Sequence, residues 1–153
     1  MYLDSEQGYL DIDWFFTDNQ EIGCVASCGG KLPVSIANLN DEESENLWSY
    51  ICNLPETTEY VINPLLLDIL EKRGSKITDN YLKDFIFYSK RGIYSFDKTI
   101  FCDFLDLRYH LVAKPQRPLL LNELPIDIRC IIAKSPYCST IRNTVSLFTN
   151  QIK

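Results

Sequence analysis

The chain has one histidine, His110, and none of its six cysteines stands in a Cys-x-x-Cys pair. Structural zinc sites draw on clusters of such ligands at short spacing, so a zinc-stapled fold has few ways to assemble here. Cys24 and Cys28, four apart, would supply at most half a site, and they read more simply as small core residues. No apolar run reaches the roughly 18 residues that a membrane span requires; Val61-Ile62-Asn63-Pro64-Leu65-Leu66-Leu67 is broken by Asn and Pro. The opening Met1-Tyr2-Leu3-Asp4-Ser5-Glu6 carries acids where a signal peptide carries positive charge, so a cytoplasmic location is expected. In that compartment the thiols are expected to be reduced. Gly29-Gly30-Lys31 lacks the Gly-x-x-x-x-Gly-Lys-Ser/Thr frame of a phosphate loop, and no Gly-x-Ser-x-Gly elbow is present. No cofactor is expected.

Basic residues are scarce in one part of the chain. Through Tyr60 there are twelve acids against Lys31 alone, whereas from Val61 onward nine acids meet fourteen bases. The two parts can face and partly neutralise each other, or the first can present an acidic surface to a basic partner. Nucleic acid is a poor partner for this pattern. Lys72-Arg73, Lys90-Arg91 and Lys114 with Arg117 are scattered, not gathered into the stripe that phosphates need.

What the chain does have is core-forming material in strongly patterned segments. At 153 residues and 46% hydrophobic composition it is expected to fold as one domain, 1–153. Leu10, Ile12, Trp14 and Phe16 alternate with Asp11, Asp13 and Phe15, the period of a strand with one buried face; Thr17-Asp18-Asn19-Gln20 supplies a turn, and Ile22 to Cys28 completes a hairpin. Asn40 caps a helix that runs to Pro55, Asn63-Pro64 opens another that ends at Gly74, and Thr78 opens a third that ends at Lys90-Arg91-Gly92. Ile93 to Phe96 and Ile100 to Ala113 read as extended, with a turn at Asp97-Lys98. Lys114-Pro115-Gln116-Arg117-Pro118 must leave any central strand. A helical period resumes through Ile128, Ile131 and Ile132, and Thr140 to Ile152 fits either strand or helix. The expected fold class is α+β: a largely antiparallel sheet with an N-terminal hairpin, packed against three or four helices.

Two groups are candidates for chemistry. Asp11 and Asp13 project from the same side of one strand and could share a hard cation, as in a metal-dependent hydrolase or transferase. Alternation against a buried face explains both acids without a ligand. His110 is the one side chain whose unperturbed pKa lies near neutrality, but its place between Tyr109 and Leu111 is expected to point it to the wetter face with Arg108, and no nucleophile accompanies it. No catalytic or metal residue is therefore assigned. Some of Tyr2, Tyr9, Phe15, Tyr60, Tyr94 and Tyr137 are candidates for exposed anchors on a partner.

The segments GYLDIDWFFTDNQEIG, GGKLP, RGIYSFDKT and YHLVAKPQRPLLLNELP resemble a group of small uncharacterised proteins of Bacteroidetes. Related short proteins often stand beside polymorphic or contact-delivered toxins as immunity proteins. The resemblance implies a non-catalytic, cytosolic binder that occludes a cognate toxin. If a basic toxin docks on the acidic part of the chain, Asp4, Glu6, Asp18, Glu21, Glu42 and Glu45 are the expected contacts, since they fall at the chain end, a turn or a helix start. A housekeeping or oligomerising module without a toxin partner is the remaining alternative.

Overall fold

Asn19, held at φ 72°, closes the first hairpin of the computed structural model, which describes residues 2–153. The turn is built by Asp18, whose Oδ1 accepts the amides of Gln20 and Glu21 at 3.0 and 2.8 Å. After a short helix α1 (Asp4–Gln7), this hairpin joins β1 (Asp13–Thr17) to β2 (Ile22–Ala26). Then come α2 (Val34–Ala37), α3 (Asp41–Asn53), β3 (Tyr60–Ile62), α4 (Leu66–Lys72), α5 (Asp79–Ser89), β4 (Tyr94–Lys98) and β5 (Arg108–Pro115). Helix α6 (Ile126–Ile132) and strand β6 (Ser146–Phe148) complete the chain. The sheet order is β1-β2-β4-β5-β3, and β6 also pairs with β5. Only β2 and β4 run parallel among the named pairs; the rest are antiparallel. The result is a single α+β domain in which α3, α4, α5 and α6 are the main helices.

The helix boundaries follow local hydrogen-bonding chemistry. Asn40 Oδ1 accepts the Glu43 amide at 2.8 Å and Thr78 Oγ1 accepts the Tyr81 amide at 3.0 Å, each satisfying a donor that the first turn leaves free. Asn63 caps a turn through the Leu65 amide, and α4 proper begins only at Leu66. Leu66 and Leu70 are its buried stripe, while Leu65 is exposed. Gly74, at φ 74°, ends that segment.

The two faces of the sheet differ in side-chain size, and that difference positions the site. Trp14, Phe16, Val25, Phe96 and Leu111 belong to one large core with Ile128, Ile131 and Ile132 of α6. Across from Phe16 stands Gly23, where bulk would collide with the ring. The opposite face carries mostly small or polar residues, Phe15 on β1 and Val112 on β5 being the exceptions. Phe15, Cys24 and Ser95 form one cross-strand row, and Asp13, Ala26, Asp97 and His110 form the next. Helix α5 lies over this side and, with Leu66 and Leu70, joins Phe85 to Val112 in a second cluster.

Several expectations from the sequence are corrected. The first strand begins at Asp13, not Leu10, and its supposed wet face is covered: Phe15 is buried. Asp97-Lys98 is no turn but the buried end of β4, and Ile100 to Leu107 is a loop instead of a strand. His110 is also buried, because β5 lies inside the sheet with β4 on one side and β3 and β6 on the other. Strand β3 is an element the sequence pattern did not single out. Thr140 to Ile152 is neither one strand nor one helix but two 3-10 turns, Ile141–Asn143 and Thr149–Gln151, flanking β6. Among the described residues no helix is long and apolar enough to cross a membrane.

Candidate functional site

Small side chains on the floor leave room above the second face. Cys24, Ala26 and Ser95 stand there in the middle of the sheet, while α5 brings Tyr81, Asp84, Phe85 and Tyr88 and α3 brings Ser44, Leu47 and Trp48 to the walls. Between them lies a cleft of about 570 Å³. The four residues from α5 are spaced i, i+3, i+4 and i+7, one helical face, with an acid set among three aromatics. Phe101, from the loop after β4, and Tyr2 also line it.

Four carboxylates reach this space: Asp11, Asp13, Asp84 and Asp97. Asp97 is neutralised within the fold. Arg73 donates to its Oδ2 at 3.0 Å and Tyr81 to the same oxygen at 2.8 Å, while the Arg73 guanidinium lies 3.6 Å from the centre of the Phe101 ring. Burial nonetheless raises the Asp97 carboxyl above its usual value, the Tyr81 and Arg73 contacts acting in the opposite direction. The other three have no Lys, Arg or His partner within salt-bridge distance among the described residues. Asp13 Oδ2 accepts the Tyr88 hydroxyl at 2.6 Å, and Asp11 Oδ1 accepts the Cys28 amide at 2.8 Å. Burial pushes the Asp13 carboxyl up to about 6, against the Tyr88 hydrogen bond and with added repulsion from Asp11 and Asp84.

The remaining reactive groups are quiet near neutral pH. Burial drives the Cys24 thiol well above its usual range and Cys28 up to about 11, so neither is an appreciable thiolate. All six cysteines are free thiols in the structure. His110 is held down to about 4 by burial and by the nearby Arg73 charge, which keeps the imidazole neutral at pH 7. No three His, Cys, Asp or Glu side chains among the described residues come together as a metal-ligand set.

The acids expected to meet a partner separate into two kinds. Asp4, Glu6, Glu42 and Glu45 are exposed. Glu21 is buried instead, with Oε1 accepting from Arg142 Nε at 2.9 Å, because the chain bridges there to Leu120 and the C-terminal segment covers it. Asp18 is half-buried and spent on the turn and on the Ile141 amide. Of the aromatic candidates, Tyr9 is 92% exposed, whereas Phe15, Tyr94 and Tyr137 are core. Sequence reasoning passed over Trp48, 48% exposed at the cleft, and Asp84; the signal for Asp84 was an acid inside an aromatic helical stripe.

No protein-family model matches the chain, and no match to it was found among curated proteins or solved structures.

Proposed function

We propose that this chain is a non-catalytic binding protein that engages a basic protein partner, in the simplest case a toxin neutralised by occlusion. One observation carries the reading: Asp11, Asp13 and Asp84 face a single aromatic-walled cleft and lack a cationic partner from the described residues of the chain. Asp13 is half-buried while Asp11 and Asp84 stand exposed at the rim, so their repulsion is felt at Asp13, and a bound cation offsets it. The exposed acids Asp4, Glu6, Glu42 and Glu45 extend the same sign over the surface, which favours fast association with a basic partner.

Reversing Asp4, Glu42 and Glu45 together to Lys should weaken protection of a toxin-expressing cell and slow association at low salt. The fold should survive with a loss of up to about 1 kcal/mol per substitution, since Asp4 and Glu42 stand in helix first turns and Asp4 also pairs with Lys31 at 3.6 Å. For the unaltered chain, association should slow as salt rises, exposed charges being screened beyond about 8 Å at physiological ionic strength. Full protection by the triple variant, with an unchanged low-salt association rate, would overturn the acidic-face mechanism.

A metal-dependent hydrolase built on Asp11 and Asp13 is a second reading, favoured by the presence of both in one cleft. Calorimetric titration with Mg²⁺ or Mn²⁺ discriminates the two: tight binding abolished by Asp11→Asn with Asp13→Asn would make the enzyme the leading reading.

A further inference from the structure

We infer that the cleft between α3, α5 and the β1-β2-β4 face is a socket for an arginine side chain carried by the partner protein. The inference rests on the binding function proposed above and names the group that the cleft takes.

The fold already uses this chemistry on one of its own arginines. At the Asp97 end, the Arg73 guanidinium is held by a carboxylate, lies against the Phe101 ring at 3.6 Å, and has the Tyr81 ring 5.7 Å away. The remainder of the cleft repeats the ingredients: Asp11, Asp13 and Asp84 with Trp48, Phe85 and Tyr88. There no cation from the described residues lies within salt-bridge distance of the acids.

Three features select a guanidinium over other cations. Aromatic walls favour a flat, weakly hydrated cation that stacks, which an ammonium does not do. Tyr88 occupies one oxygen of Asp13 and the Cys28 amide one oxygen of Asp11, so each carboxylate keeps its second oxygen for an external donor. A forked donor can serve two such oxygens at once. Finally, sites of about 300–1,000 Å³ enclose ligands larger than one side chain. A cleft of about 570 Å³ therefore holds an arginine together with the backbone that presents it. Burial of Asp13, which raises its carboxyl to about 6, adds to the gain from a bound cation.

The test titrates the full chain by calorimetry with three capped tripeptides, Gly-Arg-Gly, Gly-Lys-Gly and Gly-citrulline-Gly. Citrulline keeps the shape of arginine without its charge. The arginine peptide should bind about tenfold or more tightly than either of the others. Asp84→Asn, at an exposed position on the rim of the cleft, should weaken it several-fold, and Asp13→Asn with Asp84→Asn should weaken it about tenfold or more, with an unchanged circular dichroism spectrum. Equal binding of arginine and citrulline peptides, binding of the lysine peptide as tight as arginine, or no binding of any of them would overturn the socket. So would undiminished binding by both variants. The Asp4, Glu42 and Glu45 reversal separates this inference from the reading beneath it. Those residues do not line the cleft, so that variant should bind the arginine peptide like the unaltered chain even while its protection of cells falls. Selective arginine binding without any protective function would refute the toxin reading and leave the socket standing.

Discussion

Replacing Arg73 by Met should cost about 3–5 kcal/mol at pH 7, because it strands a buried carboxylate. The Asp97 side chain is 4% exposed and that of Arg73 10% exposed, and the guanidinium also donates to the Lys98 carbonyl at 2.7 Å. Losing it removes the neutralising charge, one backbone partner and the stacking on Phe101 together. The direction of the pH effect follows from Asp97. Its carboxyl is already raised by burial, and removal of Arg73 raises it further. A carboxyl raised in the folded state contributes stability that is fully present below its unfolded value, near 3.8, and lost as pH rises through the folded value. Lowering the pH from neutrality should therefore recover part of the loss in the variant. Adding Asp97→Asn should recover most of it at pH 7 and flatten the pH dependence. Urea denaturation of the two single variants and the double variant measures the coupling. Additive losses would mean that the pair does not act as one unit.

Gly23→Ala should cost about 1–3 kcal/mol by overpacking. A methyl at this position would lie 2.3 Å from Cε1 and Cζ of Phe16, and the ring is fully buried. It cannot swing aside, since Trp14, Phe96 and Tyr137 surround it at centroid distances of 5.7, 5.8 and 5.6 Å. Glycine is needed at this position for space and not for an unusual backbone angle. Phe16→Leu in the Gly23→Ala background should then cost less than Phe16→Leu alone, a non-additivity that denaturation curves can resolve. A single Gly23→Ala variant within about 0.5 kcal/mol of the unaltered chain would contradict this packing.

Local chemistry made much of the fold legible. Asn40 and Thr78 announce α3 and α5 because a side-chain cap is a contact between residues three apart, fully present in the sequence. Asp18-Asn19 announces the hairpin for the same reason. Where the reading went wrong, the decisive partner lay far along the chain. Alternation around Trp14 gave the period of β1 but could not tell that α5 covers its second face, although Phe15 among the supposedly wet residues was a sign of it. Asp97-Lys98 resembled a turn because two adjacent charges rarely sit in a core. Arg73, 24 residues earlier, makes burial of Asp97 tolerable. The cleft was illegible for the same cause: Asp13 meets Tyr88 across 75 residues, and the small floor residues Cys24, Ala26 and Ser95 acquire meaning only when the strands align.

Asp13 reports directly on whether the cleft takes a cation. Its side-chain carboxyl carbon can be followed by NMR through pH 3 to 8 in the free chain and in the chain saturated with the Gly-Arg-Gly peptide. Tyr88, Asp11 and Asp84 are the titratable groups that act on it: the Tyr88 hydrogen bond lowers its value and the two acids raise it. In the free chain the midpoint should lie at about 6. With the peptide bound, a guanidinium beside the carboxylate favours the ionised form, and the midpoint should fall by about one unit or more. A midpoint near 6 that stays in place when the peptide is saturating would contradict the account, because no cation would then have entered the cleft.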